Sequence, residues 1–451
     1  MKALYHRRDL EKSKFMKNRF IIVYLAIFGC IFWEAETATN AQTPAGIFKV
    51  DALTYRYYLE QKWDSLTRAG KAGIRDGIDF YYLRMRMGIA YYEQQKYALA
   101  IPHFRKALQF DPGSQIAREY LYYSYLFLNR DMEAHLVATA LTSETRERLN
   151  IMPQFISGFS ADYTFRTFRP ESYSFSLPNA PEGKQEIPEQ MHNLSLVFTH
   201  FPGKRFRLIH SFTSFKQNNT YYEKTSLRDY HFTSWLDQYQ YYLNLSLCPL
   251  SGLTISTWGH YIYLHLPTVY ERSSNQAQIV YASQNDYIAG LSGKLTGRFL
   301  TMDYSYSHAW FGSIHTQQHT AGIGLYPLGN LNLYGTYNLN FLKQNSDNNF
   351  RLIWQIAAGL KIASKCWTEI GLSKGKMDHF SDAMGYIVYN QENPYTLLSY
   401  ATLFFLPSSR WSLYIKGSFL QGVSRFTSSE LMTNQTNFLS YSITGGVSWK
   451  L

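Results

Sequence analysis

The spacing of hydrophobic residues divides the chain into two parts. Between Ala52 and about Asn150 they recur with helical spacing, and from Pro153 onward they alternate with polar residues in one segment after another. The first pattern indicates helices with one apolar face, and the second indicates strands with one apolar face. The sequence therefore predicts a helical domain at residues 42–151 and a β domain at residues 152–451.

The end of the chain is the clearest strand. Every second residue from Leu439 to Leu451 is apolar or glycine, and the residues between them are polar or glycine. A strand with lipid on one face and water on the other has this pattern. The segment also resembles the C-terminal strand of bacterial outer-membrane barrels, which ends in an aromatic or large aliphatic residue. This resemblance implies that the strand is the membrane-insertion signal, with Tyr441, Val447, Trp449 and Leu451 on its apolar face.

Further segments alternate in the same way, so the β domain is predicted to be an antiparallel transmembrane β-barrel of about 14 strands. The predicted strands are Gln154–Arg166, Asn193–Phe201, Phe206–Phe215, Tyr239–Cys248, Leu253–Leu264, Asp286–Leu295, Phe299–Trp310, Thr320–Tyr326, Leu331–Phe341, Arg351–Ile362, Trp367–Ser373, Tyr395–Phe405, Trp411–Phe419 and Leu439–Leu451. Short and long connections alternate between them, as they do when one barrel rim carries turns and the other carries loops. Because short turns face the periplasm in such barrels, the barrel is predicted to lie in the outer membrane with the helical domain in the periplasm.

The longer connections are predicted to be extracellular loops because they are polar and follow the opposite ends of the strands. They include Lys216–His231, Pro267–Asn285, Lys374–Pro394 and Gln421–Asn437. One predicted strand, Tyr395–Phe405, fits the alternation poorly because it is apolar on both faces.

Composition agrees with a membrane barrel. Only 17% of the residues are charged, 45% are hydrophobic, and the chain contains 38 Tyr and 30 Phe. Soluble domains carry about 25% charged residues. The formal charge is +11, but the basic residues are scattered along strands and loops, so nucleic acid is not a predicted partner. The anionic lipid headgroups of the outer membrane are the favoured partners of these basic residues.

Residues 1–41 are predicted to be a signal peptide. A basic segment precedes Phe20–Trp33, an apolar run that is too short to cross a bilayer comfortably. Small residues before Gln42 supply a cleavage site. Two alternatives stay open, namely a translation start at Met16 and lipidation of Cys30, which follows a run that partly resembles a lipoprotein signal.

The segment Tyr81–Ser114 resembles the tetratricopeptide repeat, whose period is about 34 residues. Gly88 occupies its close-packing position, Arg84 replaces the usual Trp, and degenerate units precede and follow it. In the following unit Tyr125 matches Tyr91. Such repeats bind peptides or proteins, so the resemblance implies a partner-binding role for Arg84, Gly88, Tyr91 and Tyr125. The alternative is a spacer or a cap over the barrel mouth.

The polar faces of the predicted strands place charges of both signs in the lumen. Such charges either select a translocated anion or pair with each other across the interior, and the sequence favours neither. The predicted lumenal charges are Asp162, Arg166, Arg207, Lys294, Asp303, Arg351, Lys361, Glu369 and Lys416. Cys248 and Cys366 fall on strands from opposite sides of the barrel, so no disulfide is predicted between them.

Catalytic chemistry has little support in the sequence. A lipid hydrolase needs a Ser or Cys nucleophile beside a His and its orienting partner. Met377–Asp382 gathers Asp, His and Ser, but adjacent residues of a loop seldom form a triad, so exposed polar side chains are the favoured interpretation. His315 and His319 have i, i+4 spacing but flank a turn rather than lying on a helix. His260 is the best candidate for a buried, hydrogen-bonded lumenal histidine. No enzyme activity, cofactor or metal is predicted.

The order of signal peptide, repeats and C-terminal barrel resembles YaiO-type outer-membrane proteins, exopolysaccharide-export porins and surface-lipoprotein assembly modulators. This resemblance implies transport or export, in which the repeats recruit a periplasmic protein or polymer cargo and the barrel passes or inserts it. Two alternatives stay open: an assembly or anchoring protein with a plugged lumen, and a lipid-modifying hydrolase. A barrel of about 14 strands lies between one filled by side chains and an open channel, so size does not distinguish plug from pore. The sequence does not indicate an oligomeric state.

Overall fold

The computed structural model describes residues 44–151, 156–169, 183–225, 228–273, 276–391, 393–408, 410–426 and 434–450. The signal peptide predicted at residues 1–41, including Met16 and Cys30, lies outside these residues, as does Leu451. Helices fill the first described range, and a closed antiparallel barrel of fourteen strands follows. The predicted fold class is therefore confirmed.

The helical part packs around one apolar core. Its helices are α1 (Pro44–Leu59), α2 (Trp63–Arg75), α3 (Tyr81–Glu93), α4 (Tyr97–Phe110), α5 (Gln115–Phe127), α6 (Asp131–Ala138) and α7 (Ser143–Arg148). Gly88 lets α3 and α4 approach closely, because a Cβ there would lie 2.5 Å from the ring of Phe104, which is fully buried. The Ser114 hydroxyl accepts a hydrogen bond from the Ala117 amide at 3.2 Å and so caps α5. None of the described helices combines the length and apolarity needed to cross a bilayer.

The barrel strands follow one another around the ring in chain order. They are β1 (Ile156–Phe168), β2 (Gly183–Gly203), β3 (Phe206–Thr225), β4 (Arg228–Leu250), β5 (Leu253–Ser273), β6 (Gln276–Thr296), β7 (Leu300–Phe311), β8 (Ile314–Leu325), β9 (Leu333–Gln344), β10 (Arg351–Ala363), β11 (Cys366–Met377), β14 (Tyr395–Phe405), β15 (Trp411–Phe426) and β16 (Asn434–Lys450). A separate hairpin consists of β12 (Phe380–Asp382) and β13 (Ile387–Tyr389). We call the end with the short turns and Lys450 the turn rim, and the opposite end the loop rim.

The ring closes where the last strand returns to the first. Phe159 lies opposite Trp449 and Phe165 lies opposite Ile443 in an antiparallel ladder. Because lipid supplies no hydrogen bonds, an open edge there would leave backbone groups unsatisfied, and the ladder removes that edge. The final strand thus pairs with the first, and the predicted strand number is confirmed.

The two faces of the wall differ as the alternation predicts. On β10, Leu352 is 48% exposed and Ile356 is 49% exposed, whereas Ile353 between them is fully buried inside the barrel. Large apolar side chains exposed in a continuous band fit contact with lipid. Cys248 and Cys366 lie on β4 and β11 as free thiols, in agreement with the sequence prediction.

Three predicted extracellular loops are wrong in part, because the strands extend through them. Strands β3 and β4 continue until Thr225 pairs with Arg228, and β5 and β6 continue until Ser273 pairs with Gln276. Strands β15 and β16 likewise extend to Phe426 and Asn434. Beyond the membrane both faces of a strand meet water, so the apolar alternation fades while the backbone ladder persists.

The fourth predicted loop, residues 374–394, is also wrong, since it folds into the lumen. Met377 and Phe380 are buried there in an apolar cluster with wall residues such as Ile353. His379 is only 6% exposed, which overturns the interpretation of residues 377–382 as exposed polar side chains. The segment turns inward because its apolar residues find cover only inside the barrel.

This inward fold explains the strand that alternates poorly. Strand β14 has the predicted bounds, with Leu403 and Phe405 exposed on its outer face. On its inner face Leu398 packs in the same apolar cluster as Phe380. Both faces are therefore apolar because lipid covers one and the inserted segment covers the other.

Lysine at Ile443 is expected to impair membrane assembly. Ile443 is 52% exposed on the outer face of β16, and a basic residue facing lipid costs about 2–4 kcal/mol at the bilayer midplane. The folded fraction in the membrane is measured from the mobility of unheated and heated samples in electrophoresis. Ser442→Lys is the control, because Ser442 faces the lumen. Equal folded levels of the two variants would contradict the assigned facing.

Candidate functional site

Residues 377–395, which we call the strap, cross the lumen. The first half of the strap is bonded to β8 and β10. Arg351 donates from Nη1 to Asp378 Oδ1 at 2.6 Å, and Gln355 donates from Nε2 to Asp382 Oδ2 at 2.9 Å. Gln318 donates from Nε2 to the Ser381 carbonyl oxygen at 2.7 Å. These bonds satisfy buried polar groups that would otherwise destabilise a segment placed inside a barrel.

The tip of the strap reaches the far wall. The Tyr242 hydroxyl donates to the Met384 carbonyl oxygen at 3.2 Å, and His260 Nδ1 lies 2.7 Å from the Gly385 carbonyl oxygen. His260 is buried, so the prediction of a hydrogen-bonded lumenal histidine is confirmed. Gly385 has φ +77°, and a Cβ there would lie 2.5 Å from Nε1 of Trp258. Glycine therefore permits both the turn and its close approach to the wall.

Two cavities that adjoin the strap are lined by residues of the described ranges. The larger has a volume of about 1290 Å3 and runs from Pro267 on the loop-rim side to Asp162 and Glu369 on the turn-rim side. Its walls mix aromatic, aliphatic and amide side chains with charged groups of both signs, of which Glu186 lies toward the loop rim and Asp162, Glu369 and Lys416 lie toward the turn rim. The smaller has a volume of about 220 Å3 and is lined mainly by hydroxyl and amide groups of β7 to β10 and the strap tip.

Charges in the larger cavity are tied to tyrosines. The Tyr334 hydroxyl donates to Glu369 Oε2 at 2.5 Å and the Tyr400 hydroxyl donates to Glu369 Oε1 at 3.0 Å. The Lys416 ammonium lies 4.0 Å from the centroid of the same Tyr400 ring. Tyr400 thus holds an acid and a base on one side of the cavity, where a cation–π contact stabilises the lysine.

The nine predicted lumenal charges do not form one group. Asp162, Arg166, Glu369 and Lys416 line the larger cavity, and Lys294 and Asp303 line the smaller one. The others lie apart from both: Arg351 pairs with Asp378, the Lys361 ammonium lies 4.8 Å from the Trp367 ring, and Arg207 lies near Tyr242. Anion selection by these charges stays a prediction.

The helical part is hydrogen-bonded to the turn rim. The Ala98 amide donates to the Gly329 carbonyl oxygen at 3.0 Å, and Asn330 Nδ2 donates to the Gln95 carbonyl oxygen at 2.9 Å. Across the mouth, Lys450 Nζ lies 3.3 Å from Asp131 Oδ1. These contacts reach turns on two sides of the ring, so the helices lie across the barrel mouth.

The contacts continue at the turn between β4 and β5. The Tyr125 hydroxyl lies 2.9 Å from Ser251 Oγ, and the Gly252 amide donates to Glu133 Oε1 at 3.1 Å. Arg130 also binds Glu133. Tyr125 is therefore buried at the junction between the helices and the barrel.

The other predicted partner-binding residues also lie inside. Tyr91 is buried in the helical core, and Gly88 packs on its neighbouring helix. Arg84 donates from Nε to Asp79 Oδ1 at 2.6 Å and lies 3.3 Å from Nδ1 of His103. Burial, with Arg84 beside it, lowers the pKa of His103 to about 3, so the neutral ring accepts that hydrogen bond. A partner-binding role for the predicted residues stays a prediction, and their burial does not favour it.

An exposed apolar ridge was missed in the sequence. Phe48, Tyr82 and Ile116 are 74%, 63% and 59% exposed and stand at intervals of 34 residues, on α1, α3 and α5. Arg86 lies 5.0 Å from the Tyr55 ring and 5.9 Å from the Tyr82 ring. We call Phe48, Tyr82 and Ile116 the ridge. The repeat period itself was the signal, because equal spacing places equivalent side chains on one face.

The catalytic candidates are separated by their bonds. Asp378 binds Arg351, His379 Nδ1 lies 3.3 Å from Nε2 of Gln344, and Ser381 binds Gln318. The side chain of each candidate thus has a hydrogen-bond partner on the barrel wall. On β8, His319 Nδ1 lies 2.7 Å from the Tyr304 hydroxyl. Within the described parts of the chain, no three His, Cys, Asp or Glu side chains are grouped as metal ligands.

Comparisons with known proteins match the two parts of the chain separately. The tetratricopeptide repeat family model matches residues 81–114, which confirms the predicted repeat. No curated protein matches the chain. The P. putida toluene transporter TodX is similar at 10% identity and a TM-score of 0.43, over 67% of this chain and 92% of that one. A Pseudomonas aeruginosa FadL homologue is similar at 10% identity and a TM-score of 0.39, over 65% of this chain and 89% of that one. A mutant of MamA is similar at 20% identity and a TM-score of 0.21, over 23% of this chain and 55% of that one.

A short chemical crosslink between Gln95→Cys and Asn332→Cys is expected to form in the membrane-embedded protein. Asn332 Nδ2 lies 3.2 Å from Gln95 Oε1 across the junction. The crosslink is detected by joining of the two halves after proteolytic cleavage between residues 150 and 156, in a background with Cys366→Ser. Gln95→Cys with Asn345→Cys is the control, since residue 345 lies at the loop rim. Crosslinking of the control pair alone would overturn the described docking.

Proposed function

We propose that the protein conducts small amphipathic molecules across the outer membrane and that its helical domain, in the periplasm, holds a protein partner below the barrel mouth. The most direct support is the larger cavity, which passes beside the strap from the loop-rim side to within a few residues of the turn rim. Its aromatic and aliphatic side chains accept the apolar part of a molecule, and the charged groups of both signs, such as Lys416 and Glu369, offer partners to a polar end.

The strap makes conduction selective. The strap occupies part of the lumen and leaves a passage beside it. Tyr386, Val388 and Tyr389 of the strap form one wall of that passage. A molecule must therefore contact aromatic and aliphatic side chains as it passes, which favours amphipathic over strongly hydrated solutes.

The ridge supports the partner-binding half of the proposal. Three large apolar side chains exposed at the same position of successive repeats form a surface that suits an apolar segment of another polypeptide. Contacts with the turn rim hold the helical domain in place, so that a bound partner would stay close to the exit. The YaiO-type, surface-lipoprotein assembly and polysaccharide-export resemblances each involve such a partner or cargo.

A second candidate, an anchoring protein that conducts nothing, is favoured by one observation. The strap is bonded to both walls and the helices cover part of the mouth, as expected for a plug. The two functions differ in whether any solute passes.

Removal of the strap is expected to raise single-channel conductance several-fold in planar bilayers. The variant replaces residues 380–389 with a Gly–Ser linker, and the matched control removes residues 346–349 from the connection between β9 and β10. Wild-type protein with and without residues 44–151 is measured beside them. Absence of conductance in all four proteins would exclude transport.

Wild-type proteoliposomes are expected to admit benzenesulfonate faster than methanesulfonate, and equal rates would exclude the amphipathic preference.

A photo-crosslinking residue at Tyr82 is expected to capture a periplasmic polypeptide in living cells. The same residue at Phe110, an apolar side chain that is 45% exposed on α4, is the matched control. The Tyr82 adduct should decrease at least tenfold when Phe48 and Ile116 are both changed to serine. An adduct that forms equally at both sites, or that survives these substitutions, would rule out the ridge as the binding surface.

A further inference from the structure

The smaller cavity differs in chemistry from the passage beside it. It is lined by hydroxyl and amide side chains, with the Tyr326 ring and the strap tip at its edges. Its volume of about 220 Å3 equals that of roughly seven water molecules at ~30 Å3 each. This space suits one small molecule and not a polymer. Conduction through the larger cavity does not depend on it.

The half of this cavity next to the strap is already hydrogen-bonded. Thr320 donates to Asn340 Oδ1 at 2.7 Å, and Asn340 donates from Nδ2 to Gln355 Oε1 at 3.1 Å. Gln355 in turn donates to Asp382 of the strap at 2.9 Å. This network holds the cavity wall next to the strap in place, because each amide is hydrogen-bonded to a neighbouring side chain.

The half nearer the turn rim is built differently, around two glycines of β8. A Cβ at Gly322 would lie 2.5 Å from Asp303 Oδ2 and 2.6 Å from Asn338 Oδ1. A Cβ at Gly324 would lie 2.4 Å from Thr301 Oγ1. Gly322 and Gly324 thus form a surface without side chains, which we call the floor. An acid, an amide and a hydroxyl from the two neighbouring strands converge over it.

Two of these converging groups, the Asp303 carboxylate and the Asn338 amide, line the cavity, whereas the Thr301 hydroxyl is hydrogen-bonded to Tyr326. The hydrogen bonds of the described residues include none from the Asp303 carboxylate or the Asn338 amide to another side chain or backbone group. A carboxylate beside an amide supplies both acceptors and donors, the two kinds of group that neighbouring hydroxyls need. Lys294 lies directly opposite Asp303 in the ladder, and Asp382 of the strap also lines the cavity, so the lining has no excess of positive charge. Tyr326 adds an aromatic ring beside the floor, with Tyr334 stacked 6.2 Å away.

We infer that this cavity binds a neutral polyhydroxylated molecule, such as a single sugar ring, with Asp303 and Asn338 taking adjacent hydroxyls over Gly322. Hydroxyl groups match the amide and hydroxyl lining, the lack of a positive excess in that lining disfavours an anion, and the aromatic ring suits the C–H face of a sugar. The binding site is distinct from the passage and faces the mouth over which the helices lie.

The experiment titrates the full-length protein in detergent with glucose, galactose, mannose and glucuronate, and measures binding by calorimetry and by saturation-transfer NMR. At least one neutral sugar is expected to bind with a saturable, millimolar or tighter Kd. Gly322→Ala and Asn338→Ala are each expected to weaken that binding at least tenfold. Gly293→Ala is the matched control, because a Cβ there meets nothing within 4 Å. Heat-dependent mobility in electrophoresis establishes that each variant is folded.

Three results would overturn the inference. Absence of saturable binding by every neutral sugar would mean that the cavity holds water only. Tighter binding of glucuronate than of any neutral sugar would exclude a neutral ligand. Unchanged sugar affinity in folded Gly322→Ala and Asn338→Ala proteins would place the sugar elsewhere on the molecule.

Discussion

The need to satisfy every backbone hydrogen bond in lipid governs this structure. A sheet in a bilayer must have no edge, and the pairing of β16 with β1 meets that requirement. Closure at fourteen strands then creates a second requirement, because the enclosed space is wider than wall side chains fill by themselves. Closure of the sheet encloses this space, and the inward fold of the strap fills part of it. A sheet that closes around so much space needs something inside it or must accept water.

The strap is held in the lumen by two kinds of contact, one apolar and one polar. Apolar residues such as Phe380 remove hydrocarbon from water, while Arg351 and Gln318 satisfy polar backbone and carboxylate groups that burial would otherwise leave unpaired. Because these polar contacts lie mainly on the β8 to β10 side, the space left over is unequal. The unequal division separates an amphipathic passage from a small polar chamber.

The features that could be predicted from the sequence are those that arise from a physical requirement repeated along the chain. Lipid on one face of every strand imposes alternation, so strand number and closure through residues such as Trp449 were predictable. The repeat at residues 81–114 was predictable because close packing needs Gly88. The strap was not, since its fold depends on partners such as Gln318 that lie far away in the chain. The charge positions were predicted from strand facing, but their division between two cavities follows from the strap.

The helices contact the turn rim unevenly. Their described hydrogen bonds reach the turns at Ser251 and Gly329 and the end of β16, and do not include the turns at residues 364–365 and 407–408. Strands β11, β14 and β15 each have one end at one of these two turns, and β11 and β15 carry Glu369 and Lys416. A molecule descending this wall would emerge sideways, beneath one sector of the rim. Under the proposed function, the molecule would leave at that side of the rim, and a protein that receives it would bind there.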